Sequence, residues 1–267
     1  DLSKPLVCIG NGGKHTTYPA LLHEINGGVG KTVTPLEFAS MSPEAVKRSR
    51  VLLLSSSGKN MDVTYASRRA AEINPEGTAG FTFTDNEKNN LIKNLKGRNI
   101  FCYRKILTCG LLYKAFSGKN SLTDKLNFDF KYDYFINKSG KLPDLKNIRH
   151  FVLLYGSYGE PVAHDIESAM IEGGVASVQL CDYRNFCHGR FIFAGNHCQN
   201  RDVPETDVCA IFLTTPREAK IAESLRKEAL ADNMPIVQIH TDLDSSLATI
   251  QLLMDSLHFV FDLAEKH

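Results

Sequence analysis

The chain has 267 residues, 43% of them hydrophobic and 23% charged, with a formal net charge of +1. A near-neutral chain without basic blocks or aromatic and basic residues interleaved does not call for nucleic acid as a partner, and its length allows one large core or two modest ones in a soluble globular protein. No apolar run reads as a membrane span and no signal peptide is visible. Seven cysteines without tidy spacing, Cys8, Cys102, Cys109, Cys181, Cys187, Cys198 and Cys209, read as small buried hydrophobes in a reducing, cytoplasmic compartment rather than as a disulfide framework.

In chain order, strand and helix alternate through the first half. A strand is expected over 6–9, a helix over 15–25, a short strand near 32–38, and a helix over 43–49 started by Ser42 and Pro43. A strand over 51–54, a helix over 61–74, a strand over 79–84, a helix over 86–95 and a strand over 99–103 follow. The stretch 104–149 is less regular, and 119–147 reads as a connecting helix and crossover. The pattern then restarts: strand 151–155, a glycine-bearing turn 156–161, helix 162–172, strand 176–180, a loop through 182–200, strand 208–213, helix 217–231, strand 235–240 and a terminal helix from Ser245. This predicts an α/β protein of two tandem doubly wound, parallel-sheet subdomains, 1–148 and 149–267.

Two strand-to-helix junctions carry the functional signal. Val51-Leu52-Leu53-Leu54 breaks into Ser55-Ser56-Ser57-Gly58, which offers hydroxyl donors and open backbone amides at the start of a helix, a setting suited to phosphate. An ordinary serine-capped turn would look the same. The second junction follows the first strand as Gly10-Asn11-Gly12-Gly13-Lys14, and in a doubly wound sheet two such turns on neighbouring strands face one crevice. Gly30-Lys31-Thr32 imitates a P-loop, but Ile25 stands where its first glycine belongs and Val33-Thr34-Pro35 reads as strand and turn, so ATP binding is set aside. Cys187-His188 and His197-Cys198 lack the ligand spacing of a structural zinc site, and no metal or cofactor is expected.

The ordered motifs Gly10-x-Gly12, Thr34-Pro35-Leu36-Glu37-Phe38, Ser55-x-Ser57-Gly58 and Glu172 to Gly189 resemble the sugar isomerase (SIS) family in its tandem form, over nearly the whole chain. Within that family the chain resembles the isomerase half of glucosamine-6-phosphate synthase. The resemblance implies a phosphate grip by Ser55, Ser56 and Ser57, with Asn60 in place of a threonine, and a first loop in which Gly12, Gly13 and Lys14 approach the anion, Lys14 replacing a serine. It also implies Glu172 as the carboxylate that carries a proton between adjacent sugar carbons, with a pKa raised by partial burial. His188 would be the acid/base that opens the ring, working across a dimer interface as in relatives. Without the resemblance, Glu172 is an exposed helix-end carboxylate and His188 a loop residue.

Ala169 stands where the synthase has a lysine, and neither a glutaminase domain nor the closing basic tail is present, so glutamine-dependent amination is not expected. The expectation is an isomerase, deaminase or deglycase of a sugar phosphate, acting as a homodimer. The alternative is a non-catalytic sensor of a sugar phosphate or nucleotide. The chain starts at Asp1 without methionine and ends in what reads as a running helix, so it reads as cut from a longer protein whose flanks would carry a targeting signal or a further domain. The apolar terminal helix, from Ile250 to Leu263, would serve either the dimer or its own domain's core.

Overall fold

A computed structural model describes residues 4–10, 30–82, 88–96, 100–102, 126, 129, 132–135, 145–190, 207–231 and 234–266. The chain divides into two compact units, Asp1–Asp124 and Lys125–His267. The sequence placed the division at 148/149.

The first unit is built on strands β1 (Leu6–Gly10), β2 (Gly30–Val33), β3 (Arg50–Leu54), β4 (Thr78–Thr82) and β5 (Ile100–Cys102), ordered β2-β1-β3-β4-β5 and parallel throughout. That is the doubly wound order in which the chain reverses direction between the first and third strands. β1 is buried along its whole length and β3 from Val51 to Leu54, which is why both read as unbroken apolar runs. Edge strand β2 is exposed except at Val33. The Gly-Lys-Thr triplet that imitates a P-loop lies within this strand.

Four helices of this unit fall among the described residues: α1 (Pro35–Ser40), α2 (Pro43–Lys47), α3 (Met61–Ile73) and α4 (Asn90–Asn94). α1 corrects the expected strand near 32–38, because Thr34 and Glu37 form a capping box. Glu37 N donates to Thr34 Oγ1 at 3.2 Å and Thr34 N donates to Glu37 Oε2 at 2.7 Å. Ser42 caps α2 as expected, accepting from Ala45 N. Val7, Ile9, Val51 and Leu53 meet Ala66 and Ala70 of α3 in the core, where the small alanines let the helix approach the sheet.

The second unit has strands β6 (Asp133–Phe135), β7 (His150–Tyr155), β8 (Ser177–Asp182), β9 (Val208–Thr214) and β10 (Ile236–His240), ordered β6-β10-β9-β7-β8. β6 runs antiparallel to β10, so a strand stands within the stretch expected as a connecting helix and crossover, and it draws residues before 148 into this unit. Counted from β7, the four parallel strands take the same 2-1-3-4 order as the first unit. Helices α5 (Glu160–Glu172), α6 (Ala219–Ala231) and α7 (Ser246–Lys266) accompany them.

By length and composition Ser246–Glu265 of α7 could cross a membrane, a correction to the expectation that no run was long enough. It is 72% buried, as a core helix is, and packs on α5 and β10. Ile250, Leu252, Leu253, Phe259, Val260 and Leu263 are buried within the unit, while Phe261 faces outward. The apolar surface of α7 thus serves its own core.

Candidate functional site

In the first unit the register pairs Gly10 with Leu54, so the chain leaves β1 and β3 side by side at the carboxyl edge of the sheet. The loop after β3 is closed on itself. Ser55 N extends the ladder by donating to Phe81 O, Gly58 N donates to Ser55 Oγ at 3.0 Å, and Lys59 N donates to Ser57 Oγ at 3.3 Å. In these bonds the serine oxygens act as acceptors, which leaves the hydroxyl hydrogens of Ser55 and Ser57 to be donated outward. Ser55, Ser56 and Ser57 are half-buried. Asn60 is the exposed N-cap residue of α3, and its side chain makes no cap bond, so the amide is available to a ligand at the helix start.

The loop is braced from behind by two residues that the sequence reading did not single out. Thr82 Oγ1 donates to Ser56 O at 3.0 Å, and buried Asn89 donates from Nδ2 to Thr82 Oγ1 at 2.7 Å. Asn89 Oδ1 accepts from Leu91 N and Ile92 N as the cap of α4, and Asn90 N donates to Gly58 O. Gly58 has φ +62°, and a Cβ there would fall 1.7 Å from Asn89 Oδ1, so both backbone and space demand glycine. The available signal for Asn89 was an asparagine immediately before a helical segment. Its contact with Gly58 links residues far apart in sequence and leaves no local pattern.

Gly12, Gly13 and Lys14 lie outside the described residues. Glu172 ends α5, is exposed, and accepts from Ser168 Oγ at 2.8 Å, so the expected partial burial is not found within its own unit. His188 is exposed in the turn Phe186–Arg190 that follows β8. Buried Phe186 anchors that turn, and Asp182 caps the helical turn before it by accepting from Asn185 N at 2.9 Å. This bond to Asn185 N–H is the main cause holding the Asp182 carboxyl below its ordinary range. Arg190 reaches back to Leu180 O and toward the Cys181 thiol, which burial pushes up.

Glu172 and His188 are not brought together within one unit. α5 runs back from the carboxyl edge of the sheet, which leaves Glu172 near the amino edge, whereas His188 comes after β8 at the carboxyl edge. The six residues of β8 lie between them, about 20 Å of strand.

No protein-family model and no curated protein matches the chain. Solved structures do. Glucosamine-6-phosphate deaminase from Thermotoga maritima aligns over 98% of this chain and 85% of its own, at 15% identity and a TM-score of 0.71. The C-terminal domain of glucosamine-fructose-6-phosphate aminotransferase from Francisella tularensis aligns over 97% and 84%, at 10% identity and a TM-score of 0.59. Tagatose-6-phosphate ketose/aldose isomerase from Escherichia coli aligns over 96% and 82%, at 14% identity and a TM-score of 0.56. The chain has the fold of these proteins.

Proposed function

We propose that the chain binds a phosphorylated sugar at the loop of Ser55, Ser56 and Ser57 and is an enzyme of the isomerase, deaminase or deglycase type, built from tandem SIS subdomains. The observation that carries this reading is the loop itself. It leaves the central strand at the carboxyl edge of a doubly wound sheet and opens a helix, with two serine hydroxyls and the Asn60 amide free to donate. The fold shared with proteins named for acting on sugar phosphates supports the same class of ligand. Gly12, Gly13 and Lys14 would add to the grip on the anion.

In this reading Glu172 takes the proton from the carbon beside the carbonyl of the open-chain sugar and returns it to the neighbouring carbon, while His188 exchanges the ring-oxygen proton. Because the two lie at opposite ends of β8, a homodimer supplies them: Glu172 from one copy and His188 from the other. Mixing Glu172→Gln with His188→Ala chains tests this. Each should be inactive alone, and exchange of subunits should restore turnover. Heterodimers that form yet stay inactive would refute the shared site.

The exposure of Glu172 and the alanine at 169 favour a second reading, a sugar-phosphate sensor without turnover. In that case Glu172→Gln would leave both binding and its downstream effect unchanged.

A further inference from the structure

We propose that the strand-end crevice of the second unit is an anion site already filled by the chain's own Glu218, so that each chain takes one external phosphate, at the serine loop. The count of one rests on the serine-loop reading above; the filling of the second crevice does not.

The two crevices correspond in topology. β7 and β9 hold the positions of β1 and β3, and their register pairs Leu154 with Phe212, so the turns beginning at Gly156 and Thr215 leave the sheet side by side. In the first unit the corresponding loop, 55–60, contains serines, a glycine, a lysine and an asparagine, and no carboxylate. In the second unit the loop ends in Glu218, whose side chain turns back into the crevice. The residue is 9% exposed. Its Oε2 accepts from Thr215 N at 3.2 Å and from Thr215 Oγ1, a backbone amide and a hydroxyl, the donor types a bound phosphate would use.

The other carboxylate oxygen occupies the space above Gly156. A Cβ on that glycine would lie 2.0 Å from Oε1 and 2.3 Å from Cδ, so the glycine and the carboxylate fit as a pair. Residues of the same two turns pair beside them. Arg217 lies 4.5 Å from the centre of the Tyr158 ring, donates to its hydroxyl at 3.0 Å and pairs with Asp244, while Thr249 Oγ1 donates to Tyr158 O at 2.9 Å. A carboxylate already seated on the Thr215 amide and hydroxyl competes with a second anion for the same donors.

The test counts inorganic phosphate bound per chain by equilibrium dialysis. Wild type should bind one and Glu218→Ser two; Ser57→Ala should bind its one, and the double variant one of its two, at least about tenfold more weakly. The difference between Glu218→Ser and wild type tests the filled crevice, and the weakening caused by Ser57→Ala tests the serine loop, so the two can fail separately. A folded Glu218→Ser protein that binds no more phosphate than wild type would overturn the proposal. Should Glu218→Ser fail to fold, Gly156→Ala decides: its Cβ must displace the carboxylate, so its melting temperature should fall by several degrees. An unchanged melting temperature would show that Glu218 does not fill the crevice.

Discussion

Replacing Gly58 with alanine probes whether the serine loop is held by the brace behind it. At φ +62° an alanine pays about 1–2 kcal/mol for the left-handed backbone. Its Cβ would fall 1.7 Å from Asn89 Oδ1, and that side chain is fully buried, so it must leave its place. Leaving breaks the cap on Leu91 N and Ile92 N, about 1 kcal/mol, and the bond to Thr82 Oγ1, another 1–2 kcal/mol for a hydrogen bond between buried groups. The sum is about 3–5 kcal/mol. Asn89→Ala forfeits the same cap and bond, about 2–3 kcal/mol, and also removes the atom with which the new Cβ collides. The double variant should therefore fall short of the sum of the singles by about 2 kcal/mol or more. Urea unfolding followed by circular dichroism measures all three. Additive losses, or a near-neutral Gly58→Ala, would refute the brace.

Other outcomes follow from single contacts. Burial pushes the Asp255 carboxyl up to about 6, against two bonds from Gln251 Nε2 at 3.1 Å that act the other way. A folded-state pKa above the unfolded one contributes stability at low pH that is lost as pH rises from about 4 through about 6. Melting temperatures across that window should fall for wild type and flatten for Asp255→Asn; parallel curves would count against the assignment. Thr34→Ala removes the acceptor for Glu37 N and should cost about 1 kcal/mol in urea unfolding, whereas Thr34→Ser should cost little. Equal losses in both would mean that the capping bond does not hold α1.

Where burial dictated sequence pattern, the fold was legible. β1, β3, β7 and β9 lie between layers, so their residues form apolar runs that can be read locally. The serine turn was legible because small hydroxyl residues follow such a run abruptly. The errors lie where several signals overlapped or none was local. Thr34 to Phe38 carries apolar residues that suit a strand, yet the threonine and glutamate three apart make a capping box, and the helix prevails. β6 is three residues long and its pairing to β10 spans a hundred positions of sequence, which no window detects. Thr82 and Asn89 act through contacts with a carbonyl and a glycine of distant segments, so each looks ordinary in the sequence, and so does the approach of Glu218 to Gly156. The interval from Glu172 to His188 suggested a pair, but the strand between them separates the two within one unit.

The central claim is that the serine loop grips a phosphate, and thermal-shift binding of hexose, hexosamine and fructosamine phosphates to wild type and Ser57→Ala tests it most directly. Losing one hydrogen bond to a charged oxygen is worth about 1.5–3 kcal/mol, so the account predicts a sugar phosphate that stabilises wild type and binds the variant at least about tenfold more weakly. A sugar phosphate that binds both proteins equally, or none that binds wild type, would contradict it.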